Sequence, residues 1–204
     1  MMEERTEKHL EQFLDTVLEE TERTVRGLDV EALYRAKEMI QEAEKNGNRV
    51  HVSGVGKPGH LANYIASLLA STGTPAYFLH GTEAVHGSSG QLVPGDVVIF
   101  ISNSGKTAEM MASVTAVENN GGKVIGVSGN PDSWLAKNSD IHLLAHVERE
   151  GGPLNRAPRA SILSETIVLQ ALSVMLQSER DLDAKQYVKW HPGGSLGVLR
   201  ENEK

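Results

Sequence analysis

The 204-residue chain has no cysteine, which removes disulfide cross-links, thiolate metal ligation and a cysteine nucleophile together. Aromatic residues reach only 4%, too few for a platform on which nucleobases could stack. Cations are in the minority, with 20 Lys and Arg against 27 Asp and Glu and a formal net charge of -7. Duplex nucleic acid needs clustered Lys and Arg to neutralise its phosphates, so it is not an expected partner. No uninterrupted apolar run approaches the ~20 residues of a membrane-spanning helix, and a membrane is not an expected partner either. The first residues, Met1-Met2-Glu3-Glu4-Arg5, lack a signal-peptide pattern, so the expected address is cytoplasmic. Solenoid repeats and low-complexity linkers are also missing. An anionic ligand would have to be held by a local arrangement working against the overall field.

What is present suits one α/β domain with an appendage. At 39% hydrophobic residues the chain can build a core, which excludes a disordered or fibrous description. Residues 1–48 read as helical. Leu10, Phe13, Leu14, Val17, Leu18 and Val25 recur at three- and four-residue spacing, and Asp29 is placed to cap a second helix that stops at Gly47. These residues form an expected N-terminal helical arm, packed on the body and on a second copy of the chain. From residue 49 to 204 the texture changes. Short apolar runs at 50–52, 76–79, 97–101, 123–127 and 141–144 alternate with helical stretches near 60–72, 106–120, 131–138 and 161–178. This alternation predicts a five-stranded parallel sheet between helices, a three-layer α/β/α sandwich of flavodoxin-like type. The segment 190–197 is rich in breakers and is expected to be irregular.

Ligand sites of such sheets lie beyond the carboxyl ends of the strands. After the first strand stands Ser53-Gly54-Val55-Gly56-Lys57-Pro58-Gly59-His60. Its glycines let backbone approach a ligand, and the helix that follows offers free N–H groups to an anion. The spacing matches the dinucleotide fingerprint, but the second strand ends without the acidic residue that would hold a ribose. After the third strand comes Ser102-Asn103-Ser104-Gly105-Lys106-Thr107. Three hydroxyls, an amide and a glycine at a helix start exceed what capping needs and suit a phosphate.

With these two turns in hand, the chain resembles the SIS (sugar isomerase) phosphosugar-binding family, most nearly its arabinose-5-phosphate isomerase branch. The resemblance runs from Val50 to Leu199. It is carried by the two glycine turns and by 70–76, Glu83-Ala84-Val85-His86-Gly87, 129–133, Arg149-Glu150-x-x-Pro153 and His191-Pro192-Gly193-Gly194-x-Leu196-Gly197. It implies aldose–ketose isomerisation of a sugar phosphate through an enediolate, without cofactor or metal. That chemistry needs a base near the carbons and a donor at the developing oxyanion. The matching positions are Lys57 to polarise the sugar oxygen, Glu150 to shuttle the proton and His191 to assist ring opening, with His86 lining the site. Ser102, Asn103, Ser104, Gly105 and Thr107 would bind phosphate, joined by Ser53, Gly54, Gly56, Ser71 and Ser161. SIS proteins complete their sites with a neighbouring chain, so a homodimer or homotetramer is implied.

Departures from the branch are informative. A glutamate usually follows Ser-Asn-Ser-Gly, and here stands Lys106, with Glu109 one helical turn on. The hydroxyl row after Pro153 is reduced to Ala157-Pro158-Arg159-Ala160-Ser161. Arg156, Arg159 and Lys106 together lead us to expect a more basic pocket and a larger or more anionic substrate. Many members continue into paired CBS modules, which are not expected in a chain ending at Lys204. Two alternatives stay open: a phosphosugar sensor without catalysis, and another phosphosugar reaction such as hexulose-phosphate isomerisation.

Overall fold

The computed structural model describes residues 2–204. The parallel strands β1 (Val50–Gly54), β2 (Ala76–His80), β3 (Val97–Ile101), β4 (Lys123–Ser128) and β5 (Ile141–Leu144) form one sheet in the order β2-β1-β3-β4-β5. Every residue of β1 and β3 is buried. That explains why β3 reads Val-Val-Ile-Phe-Ile without alternation, since helices cover both of its faces.

Among the described residues, seven α-helices surround the sheet: α1 (Met2–Arg26), α2 (Val30–Lys45), α3 (Lys57–Ser71), α4 (Ala108–Asn119), α5 (Trp134–Lys137), α6 (Ala160–Ser178) and α7 (Ala184–Trp190). On one face α2, α3 and α6 pack on Val50, Val52, Val97, Ile99 and Ile101. On the other face α4 and α5 cover Val98, Phe100 and Val124. The three layers expected from the strand–helix alternation are therefore present. Asp29 caps α2 by accepting from Ala32 N–H at 2.9 Å.

The N-terminal helices behave differently from one another. α2 buries Leu33, Ala36 and Ile40 in the main core, whereas α1 rests on the outside of α6. The side of α1 that meets the body is polar: Thr16, Glu20 and Thr24 are buried, and Thr24 donates to Ser164 Oγ at 3.0 Å. Leu10, Leu14, Leu18 and Val25 of the apolar stripe are instead exposed.

α6 is long and apolar enough to cross a membrane, but half of that window is buried within the domain, as in a core helix. α7 lies where no helix was expected. Asp183 caps it by accepting from Gln186 N–H at 2.7 Å, and 195–197 and 201–203 form single tight turns rather than wholly irregular chain.

Candidate functional site

β2 lies on one side of β1 and β3 on the other, so the chain reverses direction across the sheet between β1 and β3. There α3 leaves toward one face and α4 toward the other, opening a crevice beyond the strand ends.

The β1–α3 turn is built by glycines. A Cβ on Gly54 would lie 2.8 Å from the Pro58 backbone, and one on Gly59 would lie 2.8 Å from Gly54 O. Gly56 is left-handed at φ 69°, with open space where a side chain would stand. It precedes α3, whose first-turn N–H groups receive no side-chain cap. Lys57 opens α3 and is exposed.

The β3–α4 turn forms the opposite wall. Ser102 N–H still bonds Val127 O at 3.0 Å, continuing the sheet, and Gly105 N–H closes the turn onto Ser102 O at 2.9 Å. Gly105 is also left-handed, at φ 60°, and its backbone lies against Ser133. Thr107 occupies the N-cap position of α4, yet its hydroxyl makes no cap bond. Thr107 is thus not spent on capping, although Ser104 Oγ accepts from Lys106 N–H at 3.4 Å. Ser102, Asn103, Ser104 and Thr107 line a cavity of about 250 Å³, with Val55, Pro58 and Pro158 as its apolar rim. Two uncapped helix N-termini converge on it, an arrangement suited to an anion.

Glu150 lies in the loop after β5 and is buried. Its Oε2 accepts from Arg159 N–H at 2.6 Å and Ser161 N–H at 3.1 Å, so this carboxylate receives the free amides at the start of α6. Asn155, left-handed at φ 47°, accepts from Glu150 N–H at 2.7 Å and Gly151 N–H at 3.2 Å and thereby fixes the loop. α1 buttresses the same loop. Arg23 pairs with Glu148 at 2.8 Å, Arg149 pairs with Glu19, and Glu148 N–H donates to Glu20 Oε2 at 3.2 Å.

Other expected residues lie apart. Ser71 ends α3 at the opposite edge of the sheet, because a fifteen-residue helix carries it about 20 Å away from the crevice. Its hydroxyl donates to Leu68 O at 2.8 Å. Ser53 is fully buried on the α4 side of β1 and does not line the cavity. His191 also sits at the far edge. It follows Trp190, which packs on Gly73, and its ring stacks on Tyr187 at 4.0 Å while Nδ1 contacts Tyr187 O at 2.8 Å. His86 is exposed in the 83–86 turn and does not line the crevice.

The expected basic pocket does not form among the described residues of the chain. Lys106 and Arg156 are exposed and outside the lining, and the Arg159 guanidinium lies against Gly152.

A neighbouring cavity of about 500 Å³ between the β1 and β2 ends was not anticipated. It is lined by Gly54, Gly56, His60, Asn63, His80 and Thr82. His60 ends the glycine turn after β1, one helical turn from Gly56, and that spacing was its only sequence signal.

Comparison with known proteins agrees with this architecture. The SIS domain family matches residues 45–175. Arabinose 5-phosphate isomerase KdsD of Francisella tularensis is 36% identical over 96% of this chain and 61% of its own length. The chain spans about half to three-fifths of the curated relatives it matches. Among solved structures, the Escherichia coli CFT073 protein c3406 in complex with arabinose 5-phosphate has 32% identity and TM-score 0.83, covering 90% of this chain and 95% of that one. A Listeria monocytogenes protein has 30% identity and TM-score 0.86, covering 95% of this chain and 100% of that one.

Proposed function

The chain belongs to the SIS domain family, and from that premise we propose that it is a cytoplasmic sugar-phosphate aldose–ketose isomerase acting on arabinose 5-phosphate. The substrate is supported by the relative named arabinose 5-phosphate isomerase and by the similar structure with that sugar phosphate bound. The observation that carries the reading is the crevice where the N-termini of α3 and α4, both without side-chain caps, face a wall of Ser102, Asn103, Ser104 and Thr107.

In this reading the phosphate takes the place of the missing caps. The sugar then extends toward Lys57 and Glu150. Glu150 moves the proton between the adjacent carbons, and Lys57 stabilises the negative charge that develops on oxygen in the enediolate. Within one chain His191 is too remote to act, so its role belongs in the site of a neighbouring subunit. The exposed leucine row of α1 is a face that such a subunit can cover. Residues 1–48 then serve as the associating arm and 49–204 as the phosphosugar-binding domain.

Glu150→Gln keeps an acceptor for the α6 amides but cannot take a proton. Turnover of arabinose 5-phosphate is expected to fall by at least about 10³-fold, within the general-base range. Affinity measured by calorimetry should change little. A variant with wild-type turnover would overturn the assignment of the base.

A further inference from the structure

The inner face of α6 contains polar atoms that the chemistry described above does not use. Ser161 and Glu165 stand four residues apart on the same helix face, and both are completely buried. The Ser161 hydroxyl and both carboxyl oxygens of Glu165 have no partner among the described residues. Ser161 is directly tied to the proposed base, because its N–H donates to Glu150 Oε2. An unpaired buried carboxyl is costly, and most buried polar groups in folded proteins are paired. A helix such as α6, which otherwise buries Val168, Leu169, Leu172 and Leu176, would be more stable with another aliphatic residue at this position.

Resting on the isomerase reading of the same site, we propose that Glu165 is a positioning residue: a buried, neutral carboxylic acid that leaves Glu150 as the sole anion at the head of α6. The two carboxyls occupy contrasting surroundings. Glu150 receives two backbone N–H groups at a helix N-terminus, where negative charge is favoured. Glu165 lies deeper with no donor. Burial, reinforced by the charge of Glu150, pushes its pKa up to about 8. Pairs of carboxyls with opposed environments divide the roles of acid and base between them.

Among the described residues, the surrounding charges supply no counter-ion to Glu165. α1 presents the buried Glu20, whose partners are Arg23 and Glu148 N–H. Lys37 of α2 is held by Glu179. Lys57 and His60 of α3 are exposed. Ionisation of Glu165 would therefore place a second uncompensated anion beside the one that works on an anionic substrate.

A carboxyl whose pKa is raised on folding stabilises the protein fully below its unfolded value near 4.5, and the contribution is lost as pH rises through about 8. Two measurements on the full chain test the proposal. In the first, kcat/KM for arabinose 5-phosphate is followed from pH 6 to 10 in the wild type and in Glu165→Gln. The wild type should lose about tenfold per pH unit above 8, and the glutamine variant should hold its plateau. In the second, Tm is followed from pH 4.5 to 9 without substrate. The wild type should decline more steeply than the variant up to about pH 8 and run parallel to it above. Coincident alkaline limbs and coincident Tm slopes overturn the proposal. Absent turnover in the wild type overturns the isomerase reading, and the Tm comparison still decides whether Glu165 is the buried acid. If the variant does not fold, the wild-type Tm slope decides alone: a flat response overturns the proposal.

Discussion

Under the proposed reading, Thr107 is a side chain whose contribution to ligand binding separates from its contribution to folding. It holds the N-cap position of α4 without capping it, so its hydroxyl is free for a bound phosphate. Thr107→Val should weaken arabinose 5-phosphate binding roughly tenfold, the loss of one hydrogen bond to a charged group worth about 1.5 kcal/mol, while Tm stays nearly constant. Ser71→Ala is the matched control and should leave the affinity unchanged, since Ser71 lies at the other edge of the sheet. Calorimetric titration with arabinose 5-phosphate checks both. The polar turn after β3 was legible in the sequence because its side chains are contiguous, so local chemistry alone places them together. Glu165 was not legible. A glutamate four residues after a serine in a helix looks like any solvated residue until the sheet and neighbouring helices close over it.

Among the elements, α1 departs furthest from the sequence pattern. Its apolar stripe was expected to pack on both the body and a second copy, yet the body of the chain meets the row of Thr16, Glu20 and Thr24 and leaves Leu10, Leu14 and Leu18 outside. Periodicity reports that an apolar face exists, but not which surface covers it. The polar row has its own work, because Glu19, Glu20 and Arg23 brace the loop that carries Glu150. If a second subunit covers the leucine row, Leu14→Glu with Leu18→Glu should weaken association by about 3 kcal/mol, roughly a hundredfold in Kd. Sedimentation velocity over a concentration series checks this, and an assembly mass equal to the wild type's would remove the leucine row from the interface. α7 was not legible in the sequence because seven residues give too little periodicity to detect.

At the scale of the whole molecule, topology separates the residues of the proposed site. α6 runs back along the sheet, so it starts beside Glu150 and ends at the far edge, where α7 and His191 follow. A shared site makes a direct prediction. Chains with Glu150→Gln and chains with His191→Ala, each inactive alone, should recover about one quarter of wild-type turnover when unfolded, mixed and refolded. Random pairing in a dimer makes half the molecules mixed, and each mixed dimer holds one intact site. An inactive mixture would place both residues outside a shared site. The amino-acid sequence by itself determined the layer order, the parallel sheet and the polar turn after β3, because periodicity and neighbouring side chains are local properties of the chain. Only the tertiary structure decided that Ser53 is sealed inside, that Ser71 and His191 stand at the wrong edge, and that Glu165 is buried behind Glu150. Those facts depend on helix length, strand order and the closing of one surface over another, which contiguous residues do not encode.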